Sequence, residues 1–283
     1  MDDSDVKRAR TAAMGIAASL HPAIDDVVVL HNSNKLTLRL LPHDMIARLA
    51  PAADQVAWFE VELAERLAAS GCPVATLDPR VPPRPYESGG FVVTLWTYYE
   101  RATLQEISPM EYSHALETLH AGMRTVDLPA PHFTDRVEEA HQLLRNRDRT
   151  PDLAGADREL LDDTLERLTR AIRDQGAAEQ LLHGEPHPDN LLITTEGPRF
   201  VDLETCCRGP VEFDVAHTPE EVGQHYAGID RDLLRQCRIL ALAMITTWRW
   251  DRGDQFPNGR QLGTEWLNRL RSVLDQRGPD ASA

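Results

Sequence analysis

Two carboxylates and a side-chain amide crowd around one short turn-and-strand segment of this chain. Leu182-His183-Gly184-Glu185-Pro186-His187-Pro188-Asp189-Asn190-Leu191 is followed by Phe200-Val201-Asp202-Leu203-Glu204. The apolar stretches Leu191-Leu192-Ile193 and Arg199-Phe200-Val201 flank residues 194–198 and read as a small hairpin. A turn ahead of the first strand can present Glu185 and Asn190, and the return strand delivers Asp202 nearby. Oxygen donors of this kind suit Mg²⁺, which takes few protein ligands and keeps several waters. Phosphoryl transfer asks for little else: an acid toward the nucleophile's hydroxyl, metal ligands, and cations on the nucleotide. Taken singly, His-Gly, Pro and Asp-Asn are also ordinary turn formers. It is the combined pattern that points to chemistry.

The elements that must position these groups begin near residue 27. Val27-Val28-Val29-Leu30, a polar turn over 31–34, the alternating Leu36-Thr37-Leu38-Arg39-Leu40, a turn at Pro42-His43-Asp44, and Met45-Ile46-Ala47-Arg48-Leu49 predict an antiparallel meander. A helix over 53–70 follows, with Val56, Phe59, Leu63 and Leu67 at three- and four-residue spacing and Gly71 and Pro73 as its stop. A proline-rich loop over 79–85 leads to a strand at 91–96. Residues 1–10 read as a frayed polar tail or the start of a short helix. Beyond residue 100 the pattern is mainly helical. Ser108-Pro109-Met110-Glu111 carries an N-cap, a proline at the first helical position and a capping-box glutamate. Amphipathic segments lie over 137–145, 157–173, 230–249 and 264–276. The expected class is therefore α+β, with a small strand-rich lobe over 1–97 and a larger helical lobe over 98–283 carrying one hairpin.

Composition narrows the partners. The 283 residues hold 30 basic against 45 acidic side chains, a formal charge of −15. That balance argues against a nucleic-acid partner. Acids lining a cleft would favour a cationic substrate, although the same charge also serves solubility. The four cysteines, Cys72, Cys206, Cys207 and Cys237, fit neither a zinc site nor a disulfide framework. The charged start and the lack of a long apolar run predict a protein without secretory signal or membrane span, hence a cytoplasmic one. Lysine occurs only at Lys7 and Lys35. No G-x-x-x-x-G-K-[ST], G-x-G-x-x-G or G-x-S-x-G is present, which disfavours P-loop, Rossmann and α/β-hydrolase chemistry.

At the residues of the first paragraph the chain resembles the aminoglycoside phosphotransferase family, which includes choline-kinase-like and other small-molecule kinases. Its loop H-G-D-x-H-x-x-N is matched by His183-Gly184-Glu185-Pro186-His187-Pro188-Asp189-Asn190. Its I-D-W-E segment is matched by Val201-Asp202-Leu203-Glu204, and a trailing G-P-x-x-x-D-[LV]-A by Gly209-Pro210-Val211-Glu212-Phe213-Asp214-Val215-Ala216. The resemblance implies a bilobal protein-kinase-like fold, with a small antiparallel-sheet N-lobe bearing one helix and a larger helical C-lobe. It implies transfer of the γ-phosphate of ATP or GTP, with Mg²⁺, to a hydroxyl of a small molecule. Cationic antibiotics, amino sugars, sugars and choline-like alcohols are all open as acceptors, and antibiotic resistance is one role among several.

The resemblance also assigns roles. Glu185 takes the place of the catalytic aspartate, and Asn190 and Asp202 hold the metal. His183 braces the loop, and Asp214 supports it from below. Arg48 stands at the strand position of the phosphate-gripping cation, and Glu60 at that of its helix partner. Ser33 and Asn34 belong to a glycine-free phosphate loop, and Thr97, Tyr98 and Tyr99 to the hinge that meets the purine. The acceptor pocket falls between the catalytic loop and helices over 134–173 and 218–254. There Glu220, Glu221, Asp251 and Asp254 could meet a cationic acceptor and Trp248 or Trp250 could stack on it; solvated acids and core tryptophans are the plainer alternative. The chain is expected as a monomer or homodimer.

Two departures from the family pattern matter. Glu185 adds a methylene where the family has aspartate, moving the carboxylate by roughly 1.5 Å, and a misplacement of about 1 Å can cost about 10²-fold in rate. Arg48 replaces a lysine, a planar fork in place of a compact ammonium; Lys35 follows the first turn and is less well placed to substitute. These departures motivate an alternative, a degenerate kinase-like module that binds nucleotide or a partner without turnover.

Overall fold

Alternation in the meander has a direct structural outcome. In a computed structural model that describes residues 1, 3–20, 24–32, 35–53, 56–102 and 106–275, strands β1 (Asp26–Asn32), β2 (Leu36–Leu41) and β3 (Met45–Pro51) form antiparallel neighbours. Strands β4 (Tyr86–Ser88) and β5 (Phe91–Thr97) complete a five-stranded sheet in the order β1-β2-β3-β5-β4. Register places Thr37 opposite Arg48 and Arg48 opposite Thr94, so these three share one face. The other face, with Val27, Leu38, Leu40, Met45, Ala47, Leu49, Val93 and Leu95, is buried.

What buries it is a helix that the sequence only hinted at. Residues 3–10 belong to α1 (Asp3–Leu20), whose Ala9, Ala12, Ala13, Ile16 and Ala17 pack on the sheet. Alanine makes a weak apolar stripe, so periodicity understated this helix. Two helices thus lie on the sheet-bearing segment. The second, α2 (Val56–Ala69), buries Ala57, Glu60, Val61, Leu63, Ala64 and Leu67. The glutamate in that otherwise apolar stripe requires a partner. Helix α3 (Pro109–Met123) starts where expected: the Ser108 hydroxyl accepts from the Glu111 N–H, and Glu111 accepts from the Ser108 N–H.

The chain divides into two compact units, Met1–Leu128 with Pro188–Thr205, and Pro129–His187 with Cys206–Ala283. The first runs to residue 128 and also takes in the hairpin β7 (Leu191–Thr194) and β8 (Gly197–Phe200). The second contains α4 (Phe133–Arg145), α5 (Gly155–Asp174), a strand pair β6 (Glu179–Leu182) and β9 (Cys207–Pro210), and α6 (Val211–Ala216). Helices α7 (Val222–His225), α8 (Arg231–Trp248) and α9 (Gly259–Asp275) complete it. Its core gathers Phe133, Leu144, Leu165, Leu168, Phe213, Leu240 and Leu267. The four cysteines are buried and none forms a disulfide among the described residues. Among the described residues no helix is long and apolar enough to cross a membrane.

Candidate active site

In the first unit the expected hairpin forms with Leu191 opposite Phe200 and Thr194 opposite Gly197. The Val201 N–H donates to the Asn190 carbonyl at 3.0 Å, closing its open end. Asn190 and Asp202 therefore flank the same end of one ladder. The hairpin is fastened in turn to the chain after α2: the Phe200 N–H donates to the Pro73 carbonyl at 2.7 Å and the Ala75 N–H to the Phe200 carbonyl at 2.8 Å. Asp202 has φ +67°, a left-handed conformation uncommon for any residue but glycine.

That placement brings Asp202 to the sheet. Arg48, on β3, donates one arm of its guanidinium to Glu60 and the other to Asp202. Lys35, just ahead of β2, donates to Glu60 Oε2 at 3.1 Å and pairs with Glu204. Five charged groups from strand β3, the residue before β2, a helix and the segment after the hairpin thus form one cluster. Glu60 is its most enclosed member, 1% exposed. Burial by itself works against the charges of Lys35 and Arg48, but Glu60 above all outweighs it and both pKa values stand above their ordinary range. Burial, then the neighbouring Asp202, pushes Glu204 upward against the pull of Lys35. Three carboxylates against two cations leave an excess of negative charge.

This donor set fits Mg²⁺. Among the described residues no group of three or more His, Cys, Asp or Glu side chains could hold a metal ion. A protein-only cage is therefore not on offer there. Mg²⁺ does not require one, since one or two hard oxygens suffice when phosphates and water supply the rest. Asp202 and Asn190 offer a carboxylate and an amide oxygen at one ladder end.

In the second unit the loop over 183–187 is held by backbone donors. The His183 N–H donates to Asp214 Oδ2 and the Gly184 N–H to Asp214 Oδ1, both at 2.8 Å. Gly184 has φ +89°, which glycine adopts without the steric penalty of a side chain. His183 and Asp214 are fully buried. Glu185 accepts from Arg136 Nη2 at 2.6 Å, and that guanidinium lies over the Trp248 ring at 5.1 Å. Nearby, His217 is half-buried, and its buried Nε2 has no hydrogen-bond partner among the described residues. Burial pushes its pKa down to about 4, with Glu185 and Asp214 pulling the other way.

At the expected hinge, the Thr97 N–H donates to the Thr76 carbonyl at 2.9 Å and the Tyr98 N–H to the Asp44 carbonyl at 3.1 Å. The Tyr99 hydroxyl bonds Thr76 Oγ1 at 2.8 Å. Two of the three backbone donors there are thus taken up by the fold itself. Ser33 and Asn34 lie outside the described residues. Of the acids that could meet a cationic acceptor, Asp251 is held by Arg149 and Asp254 by Arg249 at 3.1 Å, while Glu220 and Glu221 are exposed. Arg136 covers the Trp248 ring and Arg260 the Trp250 ring, so the stacking faces carry the protein's own cations.

One residue of these clusters escaped the sequence. Arg136 is 49 positions from Glu185 and carries no local signal. Lys35, one of only two lysines in the chain, was named only as a less well placed substitute for Arg48.

The chain matches the model of the phosphotransferase enzyme family over residues 26–239. No curated protein matches it. Among solved structures, the amicoumacin kinase hAmiN in complex with AMP-PNP, Ca²⁺ and Ami superposes with a TM-score of 0.73 at 10% identity, covering 96% of each chain. A choline/ethanolamine kinase family protein from Mesorhizobium loti gives 0.66 at 18% identity, covering 96% of this chain and 95% of that one. The GDP and kanamycin complex of APH(2")-IIia gives 0.64 at 13% identity, covering 93% and 97%. These likenesses establish the kinase-like fold.

Proposed function

The chain belongs to the phosphotransferase enzyme family and is a small-molecule kinase, and from that premise we propose that it moves the γ-phosphate of ATP or GTP, with Mg²⁺, to a hydroxyl of a small acceptor. The observation that carries this reading is the joining of Arg48, Glu60 and Asp202 in one cluster, from residues up to 154 positions apart. A strand cation, a helix acid and a post-hairpin acid in contact is the arrangement phosphoryl transfer uses to hold phosphates and metal together.

Asn190 and Asp202 would hold Mg²⁺, which when bound neutralises charge on the phosphates. The chain's own residues do the rest. Glu60 fixes the Arg48 guanidinium, and Arg48 fixes Asp202. Val28 and Ile46 lie on the Arg48 face of the sheet, Val28 being 41% exposed, and offer a purine an apolar surface beside the 97–99 hinge. Residues 1–97 supply this nucleotide-binding part, and 98–283 the catalytic loop and acceptor pocket. Glu185 orients the acceptor hydroxyl and takes its proton; Arg136 aims Glu185. Asp214, through the His183 and Gly184 N–H groups, sets the path of the loop. The overall charge of −15 supports a cationic acceptor such as an amino sugar or a cationic antibiotic.

The test is a phosphorylation screen over aminoglycosides, peptide antibiotics, sugars and amino alcohols with Mg²⁺ and ATP or GTP. With an acceptor in hand, Asp202→Ala and Asn190→Ala each lower turnover by about 10²–10³-fold with the fold intact, and Glu185→Gln lowers kcat more than nucleotide affinity. Wild-type rates in Asp202→Ala would overturn the site. Nucleotide binding without metal-dependent turnover on any acceptor would favour the non-catalytic module.

A further inference from the structure

The phosphate-gripping role was expected of Arg48, yet each terminal nitrogen of its fork is already held by a carboxylate, which fixes the directions of its three remaining N–H donors. One guanidinium nitrogen is on Glu60 and the other on Asp202, with the side chain 15% exposed. A nucleotide phosphate reaching Arg48 along the two occupied directions would have to displace a carboxylate. Lys35 is placed differently. Its ammonium has three N–H donors; one is given to Glu60 at 3.1 Å and one to Glu204, and the described residues supply no third partner. Two carboxylates hold the ammonium, and its side chain is 10% exposed. Lys35 also stands just ahead of β2 and follows residues 31–34, which the family resemblance assigns to the phosphates.

We propose that Lys35, just ahead of β2, is the cation that contacts the nucleotide phosphates, and that Arg48 is a positioning residue tying Glu60 to Asp202. The inference rests on the nucleotide site proposed above and moves its phosphate ligand off β3. Chemically the exchange is sensible. A compact ammonium can point a spare proton at a phosphate oxygen without leaving its two carboxylates, whereas a fork bound at both tips is rigid.

The chain's lysine content makes a clean test possible, because Lys7 and Lys35 are its only lysines. Lys7 lies exposed on α1 and serves as the internal control. The full-length protein is treated with an ATP acyl phosphate, whose acyl group sits on the terminal phosphate. The Lys35 amine, its proton passed to solvent, attacks the acyl carbonyl; the N–C bond forms, the acyl–oxygen bond breaks, and ATP leaves. Mass spectrometry is expected to find acylated Lys35, suppressed by excess Mg²⁺-ATP, with Lys7 at a level that ATP does not change. In the kinetic arm, Lys35→Met raises the nucleotide KM by about tenfold or more with kcat little changed. Arg48→Lys does the reverse, lowering kcat with a smaller effect on KM.

Calorimetry of Mg²⁺-ATP binding, which needs no lysine label, separates the two claims. Binding together with unlabelled or ATP-insensitive Lys35 overturns the inference and leaves the kinase assignment standing. A nucleotide KM that follows Arg48→Lys and ignores Lys35→Met overturns it as well. No nucleotide binding at all removes the proposed function and the inference with it. The labelling arm uses the unmutated protein, so a Lys35→Met variant that fails to fold does not shelter the proposal.

Discussion

The two acid-bearing regions of this molecule are held by opposite means. In the first unit, Glu60, Asp202 and Glu204 are fixed by side-chain cations, Lys35 from just ahead of β2 and Arg48 from β3. In the second, the loop bearing Glu185 is fixed mainly through its backbone, by the two N–H groups that converge on the Asp214 carboxylate. A web of side-chain charges responds to any change in the charge around it. Backbone donors on a single carboxylate hold a shape.

The contrast can be broken by experiment, starting where the effect is largest. Glu60→Gln leaves the buried Lys35 and Arg48 short of a counter-charge, and a broken buried pair of this kind costs about 3–5 kcal/mol. Urea unfolding at neutral pH measures it, and a loss near that of an exposed pair would show that the cluster is more solvated than its burial implies. Next comes pH. The unfolded chain protonates His217 near its ordinary value of 6.5, whereas the folded chain resists until about 4. The stability this group contributes is therefore complete above pH 6.5 and is lost as pH falls toward 4, about 3 kcal/mol in all. His217→Gln removes that slope, and denaturation midpoints between pH 4 and 7 report it. An unchanged slope would assign the acid sensitivity elsewhere. The smallest effect sharpens the comparison most. Asp214→Asn keeps one carbonyl oxygen but turns an amide toward the second backbone N–H, costing about 2 kcal/mol. Hydrogen exchange at Gly184 should rise in this variant while exchange along β3 stays as it was.

Much of the fold was legible. The meander strands, the capping box at Ser108 and the hairpin over 191–200 all follow from periodicity and turn chemistry, which act over a few residues. The misses share a cause. Helix α1 buries alanines, whose apolar signal is slight, and its value comes only from the sheet it covers. Strand β4 is three residues long and follows a proline-rich loop, too short for alternation to register. In the candidate site, Glu60 was marked by the family resemblance alone, and nothing near Arg136 marks it as the partner of Glu185. The tryptophan faces expected to meet an acceptor are occupied by Arg136 and Arg260, a fact invisible without coordinates.

By itself the sequence determined which chemistry is possible. Glu185, Asn190 and Asp202 stand in an ordered motif whose oxygens suit phosphoryl transfer, and one hairpin register suffices to bring Asn190 and Asp202 to the same end of a ladder. Only the tertiary structure decided which cation answers which acid. Lys35, Arg48, Glu60, Asp202 and Glu204 meet through sheet order and helix packing. Charge pairing across such separations depends on distances that no local spacing encodes, since Coulomb interaction is felt in space and not along the chain.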